Sequence, residues 1–113
     1  MIESCSFGTL VVDGKTYTSD LIIYPDGRVE DQWWRKNGHR LSAGDIGKLI
    51  RAEPEVIVAG TGVSGRMRPA PNLEKKLSEK GIRFLTAPNS EAMKTYNELL
   101  FVKKVGACFH LTC

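Results

Sequence analysis

The chain has 113 residues, of which 42% are hydrophobic and 26% are charged, the composition of an ordinary globular protein. This length predicts one domain over residues 1–113. The 16 basic and 13 acidic residues give a net charge of +3, and the basic residues are dispersed, so we expect no nucleic-acid partner.

The first half of the chain predicts an antiparallel β-meander. We expect its strands at residues 5–12, 15–24 and 28–35. Asp13-Gly14 separates the first two strands, and this dipeptide between apolar segments is the strongest short-range signal for a hairpin. A second turn is predicted at Pro25-Asp26-Gly27, because proline and glycine favour turn conformations.

The predicted third strand carries two adjacent tryptophans, Trp33 and Trp34. Because successive residues of a strand point to opposite faces, only one indole can enter the core. An exposed tryptophan is typical of protein interfaces, so we predict a protein contact at one of the two, without choosing between them. His39, in the polar loop that follows, is assigned to this predicted interface, and a solvated loop histidine is the simpler alternative.

The second half of the chain predicts alternating helices and strands. Ser42 and Asp45 resemble a capping box, and the helix that they begin ends before Pro54. Buried strands are predicted at residues 56–59, 82–86 and 105–112, and the helices between them at 72–81 and from Asn89 or Ser90 onward. The strands of such a β-α-β-α-β unit are parallel, with right-handed crossovers. Together with the meander, this unit predicts an α/β domain with a mixed sheet.

The strand at residues 56–59 leads into a loop with the spacing G-x-G-x-x-G, formed by Gly60, Gly62 and Gly65. A dinucleotide site of this spacing needs a helix directly after the loop and an acidic residue after the next strand. Pro69 and Pro71 block such a helix, and no acidic residue closes the next strand, so the dinucleotide interpretation is disfavoured.

Two interpretations of this loop remain open. Its glycines could only turn the chain, or its backbone N–H groups could bind a small anion such as phosphate, a nucleotide or a carboxylate. An arginine would close that site with a bidentate contact, and the sequence does not choose between the two that follow the loop. The predicted anion site consists of Gly60, Thr61, Gly62, Ser64, Gly65, Arg66, Arg68 and Ser90.

The three cysteines, Cys5, Cys108 and Cys113, show no paired spacing, so we expect reduced thiols. Cys108, His110 and Cys113 lie close together in the sequence, but zinc takes four ligands and no partner pair is present. We therefore predict no metal and no cofactor. No apolar run approaches the ~20 residues that span a membrane, and no signal peptide is visible, so a cytoplasmic location is expected.

Several short segments, in their order and spacing, resemble one family over nearly the whole chain. They are Asp20-Leu21-Ile22-Ile23 with Gly27, Trp33-Trp34-Arg35 with Gly38-His39, Gly60-Thr61-Gly62, Asn89-Ser90-Glu91-Ala92, Tyr96-Asn97 and the closing strand. This small, largely uncharacterised family, a domain of unknown function, includes a mitochondrial complex I assembly factor and an adipogenesis-associated cytoplasmic protein. The resemblance implies a three-layer α/β fold with a central mixed sheet, and it implies no reaction and no catalytic residues.

No residue set in the sequence makes a catalytic constellation. We therefore expect a non-catalytic binding or assembly module that acts through protein–protein contact. The alternative is small-anion binding, or an enzymatic site, at residues 60–65, because open α/β sheets bind ligands at the carboxyl ends of their parallel strands. The sequence leaves the oligomeric state open.

Overall fold

The computed structural model describes residues 1–113. Its strands are β1 (Ile2–Ser6), β2 (Thr9–Val12), β3 (Lys15–Tyr17), β4 (Leu21–Ile23), β5 (Val29–Glu30), β6 (Arg40–Leu41), β7 (Val56–Gly60), β8 (Arg68–Pro69), β9 (Arg83–Ala87) and β10 (Val105–Phe109). Its helices are a 3₁₀ turn (Ala43–Ile46), α1 (Gly47–Arg51), α2 (Leu73–Glu79) and α3 (Asn89–Leu99). None of these helices has the length and apolar character needed to cross a membrane.

The central sheet has five strands in the order β5-β4-β10-β7-β9. Strands β10, β7 and β9 run parallel to one another, whereas β4 pairs antiparallel with both β10 and β5. Every residue of β7 and β10 is buried, as expected for strands covered on both faces. The predicted mixed sheet with parallel strands at its core is confirmed.

Two apolar clusters cover the two faces of this sheet. On one face, Val58 and Phe109 pack with Tyr96 of α3 and with residues of β1 and β2. On the other face, Ile57 packs with Leu49 of α1 and with residues of α2. Because strand side chains alternate between the two faces, neighbouring residues such as Ile57 and Val58 enter different clusters. This arrangement confirms the three-layer α/β fold.

The predicted meander divides into two separate sheets. Strands β1, β2 and β3 form an antiparallel sheet of their own, with the expected hairpin at Asp13-Gly14. The predicted strand 5–12 is wrong as a single strand, because Gly8, at φ 80°, turns the chain between β1 and β2. The predicted strand 15–24 also breaks, since its second half, β4, joins the central sheet.

The predicted third strand, at residues 28–35, is reduced to the two residues of β5. Gln32 has a left-handed backbone, at φ 53°, and this turns the chain out of the sheet. Its N–H donates to the Ser19 hydroxyl, and the Trp33 N–H donates to the Asp20 carbonyl. The two tryptophans therefore lie in a loop, and strand alternation does not determine their directions.

The helix ends follow the sequence signals closely. The Asp45 carboxylate accepts hydrogen bonds from the N–H and the hydroxyl of Ser42 at the start of the 3₁₀ turn. After α2, Gly81 lies at φ 77°; its N–H donates to Ser78 and the Ile82 N–H donates to Leu77, which is a Schellman motif. These contacts confirm the predicted start at Ser42 and the predicted role of Gly81 after the helix.

Strand β9 departs from the prediction of a buried strand. It is an edge strand, and Arg83 and Thr86 are exposed on it. Strands β6 and β8 form an additional two-residue parallel ladder that the sequence did not predict. Pairs this short leave no periodicity in a sequence, because they hold too few residues to alternate.

Candidate functional site

Trp33 is anchored in the fold. Its indole N–H donates to the Asp45 carbonyl at 2.8 Å, and its ring packs against the cluster that contains Leu49 and Ile57. The Arg35 guanidinium lies 4.6 Å from the centre of the same ring, a cation–π distance. The anchor fixes the loop from which the next residue projects.

Trp34 is 77% exposed, the highest value among the large hydrophobic side chains of the chain. It borders a cleft of about 360 Å³ between its own loop and the segment formed by the 3₁₀ turn and α1. The cleft is lined by Ile22, Tyr24, Glu30, Gln32, Trp33, Trp34, Gly44, Asp45, Gly47, Lys48 and Arg51. This "tryptophan cleft" therefore has two adjacent tryptophans in its lining, of which Trp33 is held by its hydrogen bond to Asp45.

Most charged groups of the tryptophan cleft already have partners. The Tyr24 hydroxyl donates to Glu30, which also lies 3.5 Å from the Lys48 ammonium. Burial, together with the hydrogen bond to Glu30, raises the pKa of Tyr24 to about 12, so the phenol keeps its proton. The Asp45 carboxylate is held by Ser42. Arg51, by contrast, makes no side-chain hydrogen bond and no ion pair.

Most backbone N–H groups of the predicted anion loop donate hydrogen bonds to acceptors within the protein. The N–H groups of Thr61, Gly62 and Val63 donate to Ala87, to the Asn89 side chain and to Thr112. Those of Gly65, Arg66 and Met67 donate to Gly62, Cys113 and Thr61, which leaves the exposed Ser64 N–H without a protein acceptor. The anion site stays a prediction, and its arginines, Arg66 and Arg68, are both exposed.

The first two glycines of the loop are needed for close packing. A Cβ at Gly60 would lie 2.2 Å from Phe109 Cδ1 and 2.6 Å from Asn89 Oδ1. A Cβ at Gly62, where φ is 107°, would lie 2.2 Å from the backbone carbon of Cys113. These contacts explain the spacing of the two glycines without a ligand.

Asn89 and Ser90, which the sequence placed at the start of the third helix, have different surroundings. Asn89 is buried; its side chain accepts from the Gly62 N–H and donates to the His110 carbonyl at 2.7 Å. It therefore ties the loop to the last strand and makes no side-chain cap, and Pro88 occupies the N-cap position. Ser90 is the second residue of α3 and is exposed.

A buried polar network, which sequence reasoning missed, lies at the carboxyl ends of β10 and β7. The His110 Nδ1 lies 2.8 Å from Asp20 Oδ2, and the Arg35 Nη1 lies 2.9 Å from the same oxygen. An ionised carboxylate only accepts hydrogen bonds, so this contact requires the hydrogen on Nδ1. The same nitrogen then does not accept from Arg35 Nη2, which lies 3.0 Å away. Arg35 Nη2 donates to the Gly38 carbonyl at 2.7 Å.

The side chains of this network are buried or partly buried, and they bond to one another and to the backbone. Arg35 and His110 are each 7% exposed, and Asp20 Oδ1 accepts from the Leu111 N–H at 2.8 Å. His39 lies against His110, with ring centroids 5.9 Å apart, and does not line the tryptophan cleft. Asp20 and Arg35 lie about fifteen residues apart in loops, and only the fold brings them to His110, so spacing alone gave no signal.

Cys108 is fully buried on the face of β10 opposite to Phe109. Burial raises the pKa of its thiol to about 12, so it does not form the thiolate that a nucleophile requires. All three cysteines are free thiols.

The fold and the cleft define a small α/β domain with a central mixed sheet and an exposed tryptophan at one edge. The chain belongs to the family described as "Protein of unknown function (DUF498/DUF598)", whose model matches residues 2–110. This membership confirms the predicted resemblance to a small, uncharacterised α/β family.

Solved structures agree with this assignment. The conserved hypothetical protein PH1505 of Pyrococcus horikoshii OT3 is 31% identical, with a TM-score of 0.88 over 100% of this chain and 99% of that one. The protein MT938 is 29% identical, with a TM-score of 0.84 over 100% and 98%. A Mth938-like domain from Bordetella pertussis, at 18% identity, shares the fold, with a TM-score of 0.76 over 98% and 85%.

Proposed function

We propose that the protein is a non-catalytic binding module of the assembly-factor type, which acts through a protein–protein contact at Trp34. The observation that carries this proposal is the 77% exposure of Trp34 beside the anchored Trp33. Tryptophans dominate the binding energy of many interfaces, and a ring on a fixed loop loses little conformational entropy when a partner covers it. His39, which the sequence assigned to the same interface, lies outside the cleft.

The candidate catalytic groups favour binding over chemistry. His110 is held by Asp20, and Cys108 is buried with a raised pKa. Neither group lines the tryptophan cleft. A cytoplasmic location and the absence of a nucleic-acid partner stay predictions from composition and sequence pattern.

The test is affinity capture from extracts of the native host, with quantitative mass spectrometry. The Trp34→Ala variant should lose at least one partner that the wild type retains, while its melting temperature stays unchanged. Phe101→Ala is the matched control, because Phe101 is 76% exposed and lies in a different loop. If wild type, Trp34→Ala and Phe101→Ala capture the same proteins in the same amounts, the contact is not at Trp34.

Small-anion binding at residues 60–65 is the second candidate. It rests on the unpaired Ser64 N–H and on the exposed Arg66, which follow a buried strand. A ligand at one hundred times its dissociation constant stabilises the fold by about 2.7 kcal/mol, which corresponds to a rise in melting temperature of about ten degrees or more. Phosphate, sulfate, nucleotides and dicarboxylates should give this rise in the wild type and not in an Arg66→Ala, Arg68→Ala double variant. Equal shifts in both proteins would remove this candidate.

A further inference from the structure

Two positions in the wall of the tryptophan cleft hold glycine although the backbone conformation there does not require it. Gly44 and Gly47 lie in the 3₁₀ turn and in α1, and neither has a positive φ. A Cβ at Gly44 would meet no atom within 4 Å, and one at Gly47 would meet only the tip of the flexible Arg51 side chain at 3.3 Å. Glycine weakens a helix relative to alanine, so the chain accepts a less stable helix here.

Gly44 keeps part of the cleft wall free of side chains, whereas the Arg51 guanidinium lies over Gly47. Trp34 and Trp33 line the same cleft and present aromatic surface, and Gly44 adds bare backbone. Backbone without side chains permits a close approach by a neighbouring group. A planar side chain fits such a slot, because aromatic rings stack favourably on an indole.

The charged side chains of the cleft indicate the charge of the group that would bind there. Glu30 is engaged by Tyr24 and Lys48, and Asp45 is engaged by Ser42. Arg51 is the charged group of the cleft without a partner. A guanidinium pairs most strongly with a carboxylate, through two parallel hydrogen bonds.

We propose that the tryptophan cleft receives an aromatic side chain from an acidic peptide segment of the partner protein. The ring stacks on Trp34 over the bare backbone at Gly44, and a flanking carboxylate pairs with Arg51. This proposal rests on the proposed function, since it names the chemistry of the partner at the same contact.

The test uses three capped pentapeptides and the two indole N–H signals of the ¹⁵N-labelled protein. The first peptide has a central phenylalanine between acidic residues, the second replaces the phenylalanine by alanine, and the third replaces the acidic residues by lysine. The first peptide should shift the Trp34 indole signal saturably, and the other two should bind at least about tenfold more weakly. The Trp33 indole, hydrogen-bonded to Asp45, should move less than that of Trp34. Equal binding of all three peptides, or no saturable shift, would overturn the proposal.

Variants separate a binding role of the glycines from a structural one. Gly44→Ala should raise the melting temperature by a few degrees, as expected for a glycine replaced in a helix, and should weaken binding of the first peptide. Gly38→Ala is the control, because Gly38 has equally open surroundings outside the cleft. Arg51→Gln should abolish the preference for the acidic peptide, whereas Arg83→Gln, at an exposed arginine outside the cleft, should leave it unchanged. Unchanged binding in Gly44→Ala and Arg51→Gln would overturn the proposal.

Affinity capture with the same variants distinguishes the two proposals. If Trp34→Ala loses its partner while Gly44→Ala and Arg51→Gln retain it, the contact stands and the assigned peptide chemistry is wrong. If all of these variants retain the wild-type partners, the contact at Trp34 is wrong as well.

Discussion

At the scale of single residues, glycines of this chain serve different purposes. Gly60 is required by close packing against Phe109 and Asn89, whereas the space around Gly44 is open. Gly60→Ala should lower the free energy of unfolding by about 1–3 kcal/mol, the usual cost of overpacking. Urea denaturation measures this change, with Gly44→Ala as the matched variant that should move the midpoint upward. Equal midpoints for Gly60→Ala and wild type would show that the loop relaxes freely.

The cysteines provide a second prediction at this scale. Cys108 is fully buried with a thiol pKa raised to about 12 by burial, whereas Cys5 and Cys113 are partly exposed. Under native conditions at pH 8, a thiol reagent should modify Cys5 and Cys113 and leave Cys108 unmodified until the protein unfolds. Three thiols that react at one rate in the native protein would contradict the burial of Cys108.

The sequence predicted a protein contact at Trp33 or Trp34, but it could not tell which of the two is exposed. The choice depends on Gln32, whose left-handed backbone turns the pair out of the sheet, and on Asp45, which holds Trp33. The network of Asp20, Arg35 and His110 could not be predicted from the sequence, because His110 lies 90 residues from Asp20 and 75 residues from Arg35. Contacts of such separation are set by topology and leave no local pattern.

At the scale of elements, β7 is one of the two strands of the central sheet that are buried at every residue. Val58 is 1% exposed and pairs with Ala107 of β10 on one side and with Leu85 of β9 on the other. Val58→Asp should prevent folding, because an unpaired buried charge costs several kcal/mol against a total stability of about 5–15 kcal/mol. Circular dichroism and thermal melting measure the effect. A soluble Val58→Asp protein with the wild-type spectrum and melting temperature would contradict the burial of this strand.

The strength of each local signal decided which elements could be predicted. The parallel strands carry apolar runs and a glycine marks the end of α2, so the sequence placed them well. The strand bounds agree within one residue, except that β10 ends at Phe109 and not at the predicted residue 112. The N-terminal strands were merged, because Gly8 and the break after Tyr17 are weak signals within segments of high β propensity. The edge position of β9 depends on strand order, which apolar content does not encode.

At the scale of the whole molecule, the network at Asp20 links stability to pH. Burial on its own raises the pKa of Asp20, but hydrogen bonds from His110, the Leu111 N–H and Arg35 outweigh it and hold the pKa below its ordinary value. An acid with a lower pKa in the folded state stabilises the fold above about pH 4, and this contribution is lost as the pH falls through the folded-state pKa. The wild type should therefore lose stability on acidification below about pH 4.

Asp20→Asn isolates this contribution. The variant leaves the buried Arg35 without its counter-ion, so it should be about 3 kcal/mol less stable than the wild type at pH 7. The stability difference between the two proteins should shrink as the pH is lowered. Melting temperatures from pH 7 to pH 3 measure it, with Asp31→Asn as a control at an exposed carboxylate that makes no ion pair. A difference that does not change with pH would contradict the assigned role of Asp20.

The order of strands in the central sheet bears on how the protein folds. The β4–β5 hairpin and the β7–β9 pair are each two-stranded units, which are marginally stable at best in water. Only β10 joins them, because it hydrogen-bonds to β4 on one side and to β7 on the other. Long loops must therefore close before the sheet gains stability, which predicts slow folding compared with helical proteins of local contacts. We therefore predict that docking of β10 is a late, cooperative step that completes the sheet.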